Sequence, residues 1–219
     1  MGWLVLDGMG LGATGVIDTV GWISMLFGSV LIHEVAHALV GRFRGAEVQG
    51  IILFPIGGAT RLMGLPESSG SNLAMTAAGP LTSLALAAAS GLVALAARVP
   101  LLPVDLHHGT IMGRLFWLNL ILALFNLLPL FPMDGGRILQ ALLSRRLGDR
   151  RATTMAARVG QVLAAGLVGF GLTGNLWLAV IGIYLFVVAG TEARAAATLP
   201  IPIIAPDDHP PVPLQKGAP

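Results

Sequence analysis

Five times between residues 16 and 190 the chain runs through long, mostly apolar stretches, at about 16–40, 71–97, 110–128, 152–172 and 176–190. A helix needs roughly 20 mostly apolar residues to cross a bilayer. Soluble domains carry about 25% charged residues, whereas this 219-residue chain is 11% charged and 55% hydrophobic, with a mean hydropathy of +0.81. No water-soluble core of this size absorbs so much apolar sequence. The expected fold class is an all-α membrane protein, a polytopic helical bundle of about five to six transmembrane helices. Residues 1–15 are apolar and Gly-rich. They are short for a span, and read as a truncated helix or an interfacial segment unless they make the sixth. They do not read as a cleaved signal peptide, because the first Arg is Arg42.

Between the first two spans the pattern changes. Residues 46–65, AEVQGIILFPIGGATRLMGL, hold a β-branched run followed by Pro55, Gly57 and Gly58. This is strand-and-turn chemistry and predicts a small β-hairpin. The second span is expected to break at Gly79-Pro80. Residues 137–147 predict a short surface helix. From Pro200 the tail is Pro-rich, which divides the chain into a membrane domain over 1–195 and a disordered or linker tail over 196–219. Arg42, Arg44 and Arg61 follow the first span. Arg137, Arg145, Arg146, Arg150 and Arg151 lie between the third and fourth, and Arg194 and Lys216 follow the last. With five spans these groups share one side, which the positive-inside rule makes cytoplasmic. The chain is then a multi-pass protein of the cell membrane, with the lipid bilayer as its surroundings. No basic stripe suggests nucleic acid, and there is no cysteine for a thiolate metal site.

The first span ends with His33-Glu34-Val35-Ala36-His37, an HExxH sequence. Residues four apart share a helix face, so both histidines can reach one metal, and Glu34 can approach a metal-bound water as general base. Zinc suits imidazole ligands, and a catalytic zinc has three protein ligands with one position open. Five-residue matches of this kind arise by chance in soluble proteins. Here, however, two histidines and a glutamate sit in an apolar span, where ionisable residues are costly and usually functional.

The third ligand is sought among the acids. The metzincin extension would need Gly at 40 and His at 43, where this chain has Val40 and Phe43. Glu47 and Glu67 lie in or near the hairpin, Asp149 lies in a basic loop, and Asp7 and Asp18 come well before the histidines. Asp105 is expected on the far side, and Asp207 and Asp208 are in the tail. Asp134 closes the apolar run of the third span on the same expected face as His37. Pro129, Pro132, Gly135 and Gly136 around it break the helix and can aim a carboxylate inward. The plainer role for Asp134 is an N-cap for residues 137–147, and a ligand could also cap.

HEVAHAL at 33–39 and NLLPLFPMDGGR at 126–137, with FPIGGATRL at 54–62 and AAGPL at 77–81, resemble the site-2 protease family of intramembrane zinc metalloproteases. The likeness covers roughly residues 16–195 and is nearest the compact bacterial and archaeal branch that includes the sporulation protease. The resemblance implies one Zn2+ per chain held by His33, His37 and Asp134, with Glu34 as general base. It gives Asn126 a supporting catalytic role as an oxyanion donor, worth about 3 kcal/mol in such sites; the plainer role of Asn126 is interhelical glue. It also implies a membrane-entering hairpin, whose residues Ile56, Gly57, Gly58 and Ala59 could bind an extended substrate by strand addition. The implied substrate is a single-pass membrane protein such as an anti-sigma factor or a membrane-bound transcription regulator. An oligomer is compatible with it. Members of that branch often add a full span before the HExxH helix and paired CBS domains after the last one. Here about 15 residues precede and about twenty follow, as in a truncated or minimal member, so nucleotide regulation is not carried over from the resemblance.

Two other functions use similar residues. A zinc transporter or sensor would need the ligands but not Glu34. A CAAX-type membrane protease would need a later ExxxD segment, yet the only Glu after Glu67 is Glu192, without that pattern. An inactive protease-like scaffold is disfavoured by the complete residue set.

Overall fold

The computed structural model describes residues 13–54, 57–63, 69–102 and 109–198. The N-terminal segment, Ile56 and the tail from residue 199 lie outside these. Among the described residues six helices and one hairpin follow in order: α1 (Ala13–Phe43), β1 (Glu47–Phe54), β2 (Gly57–Met63), α2 (Ser69–Ala96), α3 (Ile111–Asn126), α4 (Asp134–Leu147), α5 (Asp149–Leu172) and α6 (Leu176–Thr198). α1, α2, α5 and α6 are long and apolar enough to span a membrane, and α3 is a shorter apolar helix. At 1.5 Å per residue α3 is about 24 Å long, short of the roughly 30 Å hydrocarbon core.

Polar side chains join the buried apolar core while many large apolar ones face outward. Ser29, His33, Glu34, His37, Thr76, Ser83 and Asn119 are buried, while Val162, Phe170, Leu176 and Trp177 are exposed. In water such an apolar surface would drive association; in lipid it is the solvated face. The chain is a multi-pass membrane protein.

With no hydrophobic drive between helices in lipid, close packing comes from small residues. α5 buries Ala152, Ala156, Gly160 and Ala164 at every fourth position; Gly160 lies against Leu130, and Gly182 of α6 lies against Val168 and the Ala164 carbonyl of α5. α1 packs on α2, and α2 on α3 and α4. Asn119 of α3 ties the bundle together, its Nδ2 donating to Ser29 Oγ on α1 at 3.1 Å. This is the interhelical role that sequence reasoning offered for Asn126. At the opposite end of α1 and α3 from the histidines, buried Arg114 lies 3.9 Å from Asp18, which accounts for one acid passed over as a ligand.

Two expectations are corrected. α2 does not break at Gly79-Pro80: it runs unbroken from Ser69 to Ala96 with Pro80 inside. Pro80 removes one rung of the ladder, but neighbouring helices hold the segment straight through. The third span is also shorter than the expected 110–128, because its chain leaves the helix after Asn126. The hairpin is as expected. β1 and β2 pair antiparallel, with Ile52 opposite Ala59 and a bulge between Val48 and Gly50, and both strands lie against α1.

Candidate metal centre

Three segments converge on one point. α1 contributes His33 and His37 from one face, about 15 Å and 9 Å along its axis from its last residue. α4 contributes Asp134 in its first turn; the cap position itself is Met133. The coil between α3 and α4 delivers that carboxylate by burying Leu130 and Phe131 against α5 and α6. Gly135 permits the fold-back, since a Cβ there would overlap the carbonyls of Leu127 and Leu128. Irregular backbone of this kind is tolerated at membrane depth when it is buried in protein.

Nε2 of His33 lies 3.1 Å from Oδ2 of Asp134, and Nε2 of His37 lies 3.2 Å from the same oxygen. Donor atoms from all three residues fall within 4.8 Å of one another. A tetrahedral zinc with ligand bonds near 2.0–2.1 Å needs donors about 3.3 Å apart, so the set fits. The second ring nitrogens agree. His37 Nδ1 donates to the Met75 carbonyl at 2.8 Å; a carbonyl only accepts, so Nδ1 carries the proton and Nε2 keeps its lone pair for a metal. His33 Nδ1 meets the fully buried Ser83 Oγ at 2.9 Å.

Gly79 completes the fit. A Cβ on this residue would overlap Nε2 of His33 and Nε2 of His37, in the space that an ion bridging them needs. The Gly-Pro pair expected to break the span instead brings bare backbone up to the metal group.

The other expected site residues are distributed as follows. Glu34 is buried beside His33 on α1. Asn126 is half-buried at the end of α3, and its Nδ2 donates to the Leu122 carbonyl of its own helix at 2.9 Å. Gly57, Gly58 and Ala59 lie in β2 opposite Phe54, Leu53 and Ile52; Ile56 is outside the described residues. Gly79, Ser83 and the Met75 carbonyl were not singled out from sequence as part of the centre. The AAGPL motif was the available signal, because a Gly inside a span marks close approach of another group.

Ser83→Ala tests the outer contact. Loss of such a partner costs about 10- to 100-fold in metal affinity. Chelator competition should show a weakening of that size with an unchanged melting temperature of the metal-free protein. Wild-type affinity would show that the contact does not hold His33.

The fold and the residue set define an intramembrane metal-binding site of the HExxH type. The sequence matches the description Peptidase family M50 over residues 21–99 and 90–167. It is 39% identical to Rip3 of Mycobacterium tuberculosis over 203 residues, covering 86% of this chain and 48% of Rip3. It is 36% identical to a zinc metalloprotease of Methanocaldococcus jannaschii over 171 residues, covering 78% and 48%. The solved site-2 protease of that organism superposes with a TM-score of 0.62 at 31% identity, covering 82% of this chain and 87% of that one. The chain belongs to peptidase family M50, the site-2 proteases. It spans about half the length of the curated relatives it matches.

Proposed function

We propose that this chain is a zinc-dependent intramembrane endopeptidase that cuts single-pass membrane proteins, with anti-sigma factors and membrane-bound transcription regulators as the substrate class. The observation that carries the proposal is that Asp134 of α4, half-buried, meets the buried His33 and His37 of a span whose HExxH also supplies Glu34. Zinc, when bound, acidifies a water ligand and polarises a carbonyl. Glu34 takes the proton of the attacking water and returns it to the leaving amine. The second N–H of Asn126 donates to the developing oxyanion. Residues 57–59 on β2 lend a strand edge to an unwound substrate. Among the described residues the sheet has two strands, so each strand has an outer edge left for such pairing.

A cavity of about 540 Å³ is lined by Met75, Thr76, Phe131, Arg137, Gln140 and Glu192. It shares Met75 with the centre, where the Met75 carbonyl accepts from His37, and in this reading it is the route by which water arrives. In this reading the cavity and the basic clusters are cytoplasmic. Cysteine placed at 148 in a chain without native cysteine should therefore resist an impermeant reagent in intact cells and react in inverted vesicles. Labelling from outside would reverse the orientation.

The direct test reconstitutes purified protein in liposomes with a model single-pass substrate. Cleavage should stop on chelation and return with zinc, and metal analysis should give about one zinc per chain, as for a single catalytic site. Zinc binding without cleavage of any such substrate would favour a sensor or scaffold.

A further inference from the structure

α5 enters the membrane with two different faces. Ala152, Thr153, Ala156, Ala157 and Gly160 are buried, while Arg151, Met155 and Arg158, spaced i, i+4 and i+7, are exposed on the other side. Arg150, Arg151 and Arg158 line one pocket of about 380 Å³ with Leu147, Thr154 and Met155. Arg150 is partly occupied, donating to the Ala197 carbonyl at 2.8 Å. Arg151 and Arg158 make no hydrogen bond or ion pair among the described residues.

Depth makes this unusual. α5 is one of the spanning helices, and Arg158 lies about 10 Å further along its axis than Arg151. Positively charged residues in loops beyond a helix end are hydrated and need no partner. An arginine more than two turns inside a span, facing outward, is costly unless an anion meets it. Among the described residues no anion meets it, and the anions available beside a spanning helix are the phosphates of lipid headgroups. A guanidinium binds phosphate oxygens through two parallel hydrogen bonds, and Leu147 and Met155 give the same pocket an apolar lining suited to the start of an acyl chain.

We propose that Arg151 and Arg158, with Arg150 at the rim, bind the phosphate of an anionic phospholipid headgroup at the α4–α5 corner. The site is separate from the metal centre, and the proposal does not depend on the proteolytic reading. Basic pockets beside spanning helices bind such headgroups, with about a fivefold contribution per arginine and about thirtyfold for two.

Native mass spectrometry of the purified full chain, titrated with phosphatidylglycerol, cardiolipin or phosphatidylcholine, is the experiment. The two anionic lipids should be retained over phosphatidylcholine. The R151Q/R158Q variant should weaken that retention by about thirtyfold, whereas R145Q/R146Q, which alters charge outside the pocket, should change it less than about twofold. A phosphatidylglycerol analogue with a photoreactive headgroup should cross-link wild-type protein within residues 147–158, which tests the site even if the double variant fails to fold. Equal retention by R151Q/R158Q, cross-links confined elsewhere, or equal binding of phosphatidylcholine would each overturn the proposal. So would full displacement of the lipid by millimolar inorganic phosphate, which would define a free-anion site instead.

Discussion

Glu34→Gln is expected to keep its zinc and to lose peptide cleavage by at least about a hundredfold, the lower range for general acid–base catalysis. The substitution retains the size of a side chain that is only 7% exposed, so the packing of α1 is preserved. It removes the only group on the HExxH face that can take a proton without being a ligand. Nε2 of His33, Nε2 of His37 and Oδ2 of Asp134 are already turned toward one another. Asp134→Ala and His33→Ala should behave differently and lose both zinc and cleavage. Zinc content and single-turnover cleavage are to be measured on the same preparations, in detergent and in liposomes, because loosened packing alone can mimic a catalytic defect. A fully active Glu34→Gln protein would sink the general-base assignment while leaving the metal site intact.

Sequence carried the span pattern, the hairpin and the three residues of the candidate metal group because each leaves a local signal. The apolar stretches are set by bilayer thickness, the His33–His37 spacing by helix geometry, and Asp134 by the helix-breaking residues around it. What did not show is long-range. The second partner of each histidine comes from α2, 38 residues on for Met75 and 50 for Ser83. Met75 contributes a backbone carbonyl, which no side-chain pattern can reveal. Gly79-Pro80 misled for a related reason. Propensity alone makes the pair a helix break, but here packing on α1 and α3 overrides it. Two polar side chains were exchanged in the same way: Asn119 and Asn126 both lie on α3, and only the three-dimensional arrangement shows that Asn119 is the one bonded across the bundle.

Gly79→Ala should abolish zinc binding while leaving the fold largely intact. A helix interior favours alanine over glycine by about 1 kcal/mol, and an added methyl in a packed core costs about 1–3 kcal/mol, so the metal-free protein should lose no more than about 2 kcal/mol. The centre has no such margin, because the methyl meets the donor atoms themselves. Both imidazoles must swing away, breaking the Nδ1 contacts to Ser83 and Met75, or α2 must move off α1. Either response separates the donors beyond the roughly 3.3 Å that a tetrahedral zinc needs. Gly91→Ala is the matched control on the same helix: its Cβ would stand 2.9 Å from the Phe116 ring and away from the metal group. That variant should lose stability and keep its zinc. Chelator competition and thermal melts on the two proteins separate the effects, with Gly79→Ala expected to weaken zinc by more than the 10- to 100-fold typical of losing an outer contact. Wild-type zinc affinity in Gly79→Ala would mean that the bare backbone at position 79 is not part of the metal centre.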